Sequence, residues 1–290
     1  MCLFAYLSIN NDFDFIFENQ KAFDNNLFAI TQCVKKQCYM NKSPISRFSN
    51  HSEDYQKYRP RYPEAIITYL EQNIGLNKAQ LIADIGSGTG IFTELLLNHH
   101  YQVLAVEPNA QMRSQAETRL KQYPKLKHIN GMAEQTDLAA HTVDLITVAQ
   151  SFHWFDLIQT KAEFKRILKP GGHVLLVWNI LQQKSQFLKA YQALKDKYTD
   201  RKPYVEKLES ARIESFLGPA KIVKQEIYHS RLLGKEELLG YFRSSSYSPI
   251  QGEAGYEKLV TEIDQLFIEH EQNGFVKLEY DAKLFFSSFE

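Results

Sequence analysis

Hydrophobic and polar positions change rhythm along the chain. From Leu81 onward, short apolar runs alternate with amphipathic ones. Leu81–Ile85 is an apolar run ahead of a glycine-rich turn, and Ile91–Asn98 has helical spacing. Tyr101–Val106 predicts a second strand, Ala110–Gln122 a second helix and Lys127–Asn130 a short third strand. Val143–Ala149 is a strong fourth strand, Lys161–Leu168 reads as a helix, Pro170-Gly171-Gly172 as a tight turn and His173–Trp178 as a fifth strand. Strands alternating with helices at this spacing predict βαβ units and a doubly wound, mostly parallel sheet. Strands that are apolar throughout fit a sheet covered on both faces.

After Asn179 the rhythm shifts. Gln186–Lys197, Val205–Phe216, Lys235–Phe242 and Tyr256–Glu271 read as helices, and Lys221–Ser230 and Val276–Phe286 as strands. The 180–275 stretch is expected to complete the same sheet and to add helical cap elements after strand five. Residues 1–39 differ in style. They are Phe-rich, hold no Gly or Pro, and carry every cysteine (Cys2, Cys33 and Cys38), whereas Met40 opens a stretch that reads like an ordinary start. The expectation is an atypical extension, either untranslated or partner-binding, ahead of a domain over 40–290.

Composition narrows the class. Lys plus Arg and Asp plus Glu balance at 34 each, which argues against duplex nucleic acid or an anionic membrane as partner. With no cysteine beyond Cys38, neither a disulfide framework nor a Cys-based metal site is expected in the main domain. His99-His100 sit side by side where a helix ends, and adjacent helical residues do not share a face, so no metal is predicted. The stretch at residues 1–10 lacks a basic segment, so a cleaved signal is not expected and the default location is cytoplasmic.

The chemistry concentrates at Asp84-Ile85-Gly86-Ser87-Gly88-Thr89-Gly90, which follows a strand and opens a helix. Glycines let the backbone turn sharply and approach a ligand closely, and a helix N-terminus offers unpaired N–H groups. A dinucleotide turn prefers G-x-G-x-x-G, and here the third glycine comes one residue early. Asp84 also adds a carboxylate that a pyrophosphate would resist. A ligand with a cationic amine and no phosphate fits better, and S-adenosylmethionine is such a ligand. Glu107 ends the second strand about twenty residues on, where an acidic side chain accepts hydrogen bonds from ribose hydroxyls.

These segments resemble the class I S-adenosylmethionine-dependent methyltransferases of the type 11 group. Asp84–Gly90 is similar to their first motif, residues 106–112 to their second, Gly131-Met132-Ala133-Glu134 to the loop beside the adenine, and residues 168–172 to the turn before strand five. Phe48-Ser49, the Tyr55–Pro63 segment and Gln150–Asp156 resemble a subgroup that includes trans-aconitate methyltransferase-like proteins. The resemblance spans roughly 46–290. It implies a Rossmann-like seven-stranded sheet with a 46–75 N-terminal arm. It also implies that Asp84, Gly86, Ser87 and Gly88 face the methionine part, Glu107 and Pro108 the ribose, and Ala133 and Glu134 the adenine. Gln150 and His153 would lie near the methyl group, and Tyr55 would close over the cofactor.

Methyl transfer from a sulfonium requires alignment and exclusion of water, with a base only where the nucleophile must lose a proton. His153 is the sequence's candidate base, or else a ring packed on the cofactor. Trp154 walls the acceptor or joins the core, and Phe152 and Phe155 are expected in the core. Arg59 grips a carboxylate or caps a solvated arm, and Arg61 is expected in surface ion pairs. The expected activity is methylation of a small-molecule acceptor at oxygen, a carboxylate included. The alternatives are a nicotinamide-dependent oxidoreductase and a non-catalytic S-adenosylmethionine- or RNA-binding protein.

Overall fold

The computed structural model describes residues 57–198, 210–218, 222–245, 248–249 and 251–289. The 1–39 extension and Tyr55 lie outside the described residues. Seven strands form one sheet: β1 Leu81–Ile85, β2 Gln102–Val106, β3 Leu126–Ile129, β4 Val143–Ala149, β5 Leu168–Leu181, β6 Val223–Leu233 and β7 Val276–Ser288. Their order is β3-β2-β1-β4-β5-β7-β6. The pairs β1/β2, β2/β3, β1/β4 and β4/β5 are parallel, whereas β5/β7 and β6/β7 are antiparallel. The expectation of a mostly parallel sheet is thus corrected to a mixed one. A single strand's apolar run does not encode the direction of its partner, and β7 enters through an insertion between β5 and β6.

The helices are α1 Ala65–Ile74, α2 Ile91–Asn98, α3 Ala110–Arg119, α4 Leu157–Ile167, α5 Gln186–Tyr198, α6 Ser210–Leu217, α7 Lys235–Arg243 and α8 Tyr256–His270. The sequence reading missed α1 and began α4 one turn late. Asp156 starts α4 by accepting from the backbone N–H of Ile158 and of Gln159, both at 3.0 Å, as an N-cap carboxylate does. Pro170-Gly171-Gly172 fall in a register irregularity of β5, where pairing with β4 passes from Leu168 to His173 and Gly171 takes φ +78°. No helix among the described residues is long and apolar enough to cross a membrane.

Both faces of the sheet are covered. On one, Ile85, Val106, Ile146, Leu176 and Trp178 pack with Phe164 and Ile167 of α4 and Phe216 of α6. On the other, Ile82, Val103, Leu145 and Val177 meet Ile67 and Leu70 of α1 and Phe92 and Leu96 of α2. A third cluster joins α5, α7 and α8 to the β6/β7 end of the sheet and holds Tyr58 of the arm. That ring lies so close to α7 that a Cβ on Gly240 would sit 2.4 Å from it, so glycine is required there. The main-chain carbonyl of Tyr58 accepts from Arg231 Nη1 at 3.0 Å, which ties the arm to β6.

Candidate active site

The strand order reverses between β1 and β4, and open α/β sheets bind ligands at the carboxyl ends of the strands flanking such a switch. The glycine turn stands there. Gly86 and Ser87 donate their N–H groups to Val106 O at 2.8 and 3.1 Å, so the turn is pinned across the end of β2. Gly86 has φ +67°, and a Cβ on it would meet Ser151 Oγ at 2.6 Å, so only glycine fits against the segment after β4.

Glu107 is the knot of the site. It is 7% exposed. Its Oε2 accepts from Gly88 N and its Oε1 from Asn109 N, both at 2.8 Å. Burial raises its pKa, against those two backbone bonds and the Arg113 charge, which lower it. A carboxylate has about four lone-pair positions, so two remain for vicinal hydroxyls after these bonds. Arg113 Nη1 holds the Glu107 carbonyl at 2.7 Å and Asn130 Oδ1 at 3.1 Å, joining the ends of β2 and β3. Pro108 stands between the two tethered residues, and Asn109 caps α3 by accepting from Gln111 and Met112 N–H.

Asp84 departs from its expected place. It is wholly buried. Its Oδ2 accepts from Thr93 Oγ1 at 2.6 Å and its Oδ1 from Thr147 Oγ1 at 2.9 Å. The carboxyl therefore clamps α2 to β4 within the core. The physical reason is the pleat: Asp84 lies two residues after Ile82, so its side chain points to the same α2 face. Burial pushes its pKa up to about 6, with the two threonine hydroxyls pulling down and Glu107 pushing up.

In the turn itself, Ser87 Oγ and Thr89 Oγ1 are buried with no hydrogen-bond partner among the described residues. Buried hydroxyls are normally paired, so a polar group of a ligand fits beside them. Unpaired hydroxyls, the glycine backbone and the Glu107 carboxylate together fit the amino acid and ribose parts of S-adenosylmethionine. When bound, that cofactor supplies an electrophilic methyl group.

The remaining predicted residues spread around this centre. Ala133 is buried in the core beside Val106 and Ile85. Glu134 Oε1 accepts from Asp156 N at 2.8 Å, which fastens the loop after β3 to the start of α4. That loop is closed by paired backbone bonds between Met132 and Gln135. Gln150 ends β4 at φ +62° and donates from Nε2 to Asn179 O at 3.1 Å. A non-glycine residue at positive φ is strained, and such strain concentrates at functional sites. His153 and Trp154 lie on the 3-10 turn Phe152–Trp154, ring centroids 4.7 Å apart, and both are half-buried. Phe152 and Phe155 are core residues, and Phe152 packs edge-on against Trp178 and Phe216.

The arm adds two arginines. Arg59 Nη2 donates to Ser244 O at 2.9 Å, at the end of α7. Arg61 pairs with Glu94, which also accepts from Arg119 Nη1 at 2.7 Å. Arg119 Nη2 reaches back to Thr89 O at 2.8 Å, so the arm is linked to the glycine turn through α2 and α3. Sequence reasoning missed Thr93, Thr147, Asn109 and Asn179. Thr147 carried a signal, as a polar residue between the apolar Ile146 and Val148 of β4, but its partner is far away in the chain.

Comparison with known proteins agrees with this geometry. Residues 83–176 match the family described as a methyltransferase domain. A methyltransferase-like protein of Schizosaccharomyces pombe is 28% identical over 223 residues, 77% of this chain and 86% of its own length. A Mycobacterium tuberculosis methyltransferase is 35% identical over 125 residues, 43% of this chain and 49% of its own length. The chain thus spans most of the first relative and about half of the second. Among solved structures, a type II methyltransferase from Anaeromyxobacter dehalogenans has TM-score 0.61 at 22% identity, covering 80% of this chain and 98% of its own, which is likeness of fold.

Proposed function

We propose that this chain, an S-adenosylmethionine-dependent methyltransferase by its domain, its relatives and its cofactor pocket, transfers the methyl group to an oxygen of a small acidic molecule. The observation that carries this reading is the docking of the arm. Tyr58, Arg59 and Arg61 are fixed to α7, β6 and α2 by side-chain and main-chain bonds, which holds a guanidinium beside the tyrosine-rich end of the sheet. Arg59 lowers the pKa of the buried Tyr191 hydroxyl, against the larger rise from its burial, so its positive charge is felt inside that cluster. A guanidinium in a low-dielectric setting grips a carboxylate by two parallel bonds. Helices α5, α7 and α8 act as the cap that excludes water from the transfer. The arm and the Gln150–Asp156 segment, which resemble trans-aconitate methyltransferase-like proteins, support an acidic acceptor.

The assay is incubation with methyl-tritiated S-adenosylmethionine and a deproteinised small-molecule extract, beside RNA and protein fractions. Label is expected in the small molecules. Arg59→Ala should cut that incorporation roughly tenfold or more while cofactor affinity holds, as loss of a charge-assisted acceptor contact predicts. Incorporation into RNA or protein instead would contradict the reading.

A further inference from the structure

The C-terminal end of α3 braces the glycine turn. Arg119 Nη2 donates to Thr89 O at 2.8 Å, and its Nη1 donates to Glu94 Oε2 on α2 at 2.7 Å. Beside it, Ala116 and Leu120 close on Gly90, where an added Cβ would lie 2.7 Å from Leu120 Cδ1. Gly90 N donates to Ser87 O at 2.9 Å, so the brace reaches back through the turn. The Thr89 carbonyl is thus occupied by Arg119, while the Thr89 hydroxyl is buried with no partner among the described residues.

The other end of α3 is tied to Glu107. Asn109 N donates to Glu107 Oε1 at 2.8 Å, and Arg113 Nη1 donates to Glu107 O at 2.7 Å. The ten residues of α3 span about 15 Å. One rigid element therefore joins the glycine turn to the Glu107 carboxylate. A ligand that carries both an amino-acid part and a ribose binds best when those two contacts are held at a fixed separation beforehand.

The chemistry of the brace suits this task. The side chains of Arg119 and Glu94 are 14% and 13% exposed, so water competes little for their pair. Arg61 reaches the same Glu94 oxygen from the arm but is 68% exposed, and such a pair adds little to the brace. A planar guanidinium can serve Glu94 and the Thr89 carbonyl at once, whereas an ammonium is a point charge on a flexible stem.

We infer that Arg119 is a positioning residue for cofactor binding: by bridging Glu94 and the Thr89 carbonyl it fixes the glycine turn on α3, and α3 sets the distance from that turn to Glu107. The inference rests on the reading that the turn takes the amino-acid part of S-adenosylmethionine and Glu107 its ribose. Arg119 acts through Thr89, so its effect falls on ligands that reach the turn.

The test is titration of the full-length protein with two probes. S-adenosylhomocysteine carries both parts, and methylthioadenosine keeps the ribose and adenine but lacks the amino acid. Arg119→Lys retains the charge and loses the bridge. Its affinity for S-adenosylhomocysteine should fall about tenfold, as for loss of a charge-assisted bond, while that for methylthioadenosine stays within about twofold. Glu94→Gln, which still accepts one bond from Arg119, should show the same selectivity with a smaller loss, and it carries the test if Arg119→Lys folds poorly. Lys121→Ala removes an exposed charge two residues on and should change neither affinity. Equal losses for the two probes, no loss for either, or the same loss in Lys121→Ala would overturn the inference. Glu107→Ala keeps that failure apart from failure of the reading beneath it. It should weaken both probes, and if it weakens neither, the site reading falls and the inference with it. NMR of the ligand-free protein gives a readout apart from binding. The Gly90 amide nitrogen shares a peptide group with the Thr89 carbonyl, so its 15N resonance should move in Arg119→Lys, and an unmoved resonance would overturn the bridge.

Discussion

Asp84→Asn should make the ligand-free protein more stable at neutral pH and its cofactor binding weaker. The buried Asp84 carboxyl has a pKa of about 6, against 3.8 for an exposed aspartate. That difference is worth ~3 kcal/mol against the folded state once the group is ionised. The folded form holds its proton more tightly than the unfolded form. Stability from this group is therefore fully present below about pH 4, is lost as pH rises towards 6, and stays lost above it. Asparagine carries no such charge and can accept from one threonine hydroxyl and donate to the other. Urea unfolding at pH 4 and pH 7 checks this. The variant should gain about 2–3 kcal/mol on the wild type between the two pH values, and a gap that stays constant would refute the assignment. The same carboxylate is the buried negative charge beneath a site for a cationic ligand. Its loss should lower S-adenosylmethionine affinity about tenfold, a trade of function for stability of the usual kind.

Glu107→Ala removes two different things at once. Two backbone N–H groups, of Gly88 and Asn109, lose their carboxylate partner, and the lone pairs that would hold vicinal hydroxyls disappear. Charge-assisted hydrogen bonds of this sort are worth about 1.5–3 kcal/mol, so the cofactor dissociation constant should rise roughly ten- to more than a hundredfold. Glu107→Gln separates the effects, because one amide oxygen can keep one N–H but not both. Calorimetric titration of the two variants should rank Gln between wild type and Ala. Equal affinity in all three would mean that Glu107 is only a loop tether.

Much of this architecture is legible in the sequence. β1, β4 and α2 have the boundaries that their apolar runs and glycine flanks predict, because short buried strands next to sharp turns leave little choice of period. The glycine turn and Glu107 are legible for the same reason, since both follow directly from where strands end. What escaped depends on partners distant in the chain. Whether Asp84 faces a ligand or the protein interior is decided by the pleat of β1 and by Thr147, which lies on another strand. The mixed end of the sheet depends on the pairing of β7 with both β5 and β6.

A cofactor pocket formed by the turn at residues 84–90 and Glu107 should take S-adenosylmethionine and reject a dinucleotide. Calorimetric titration of the purified protein with S-adenosylmethionine, beside nicotinamide adenine dinucleotide, tests it most directly. Saturable binding of S-adenosylmethionine alone is the predicted result. Binding of the dinucleotide in its place, or of neither by folded protein, would contradict such a pocket.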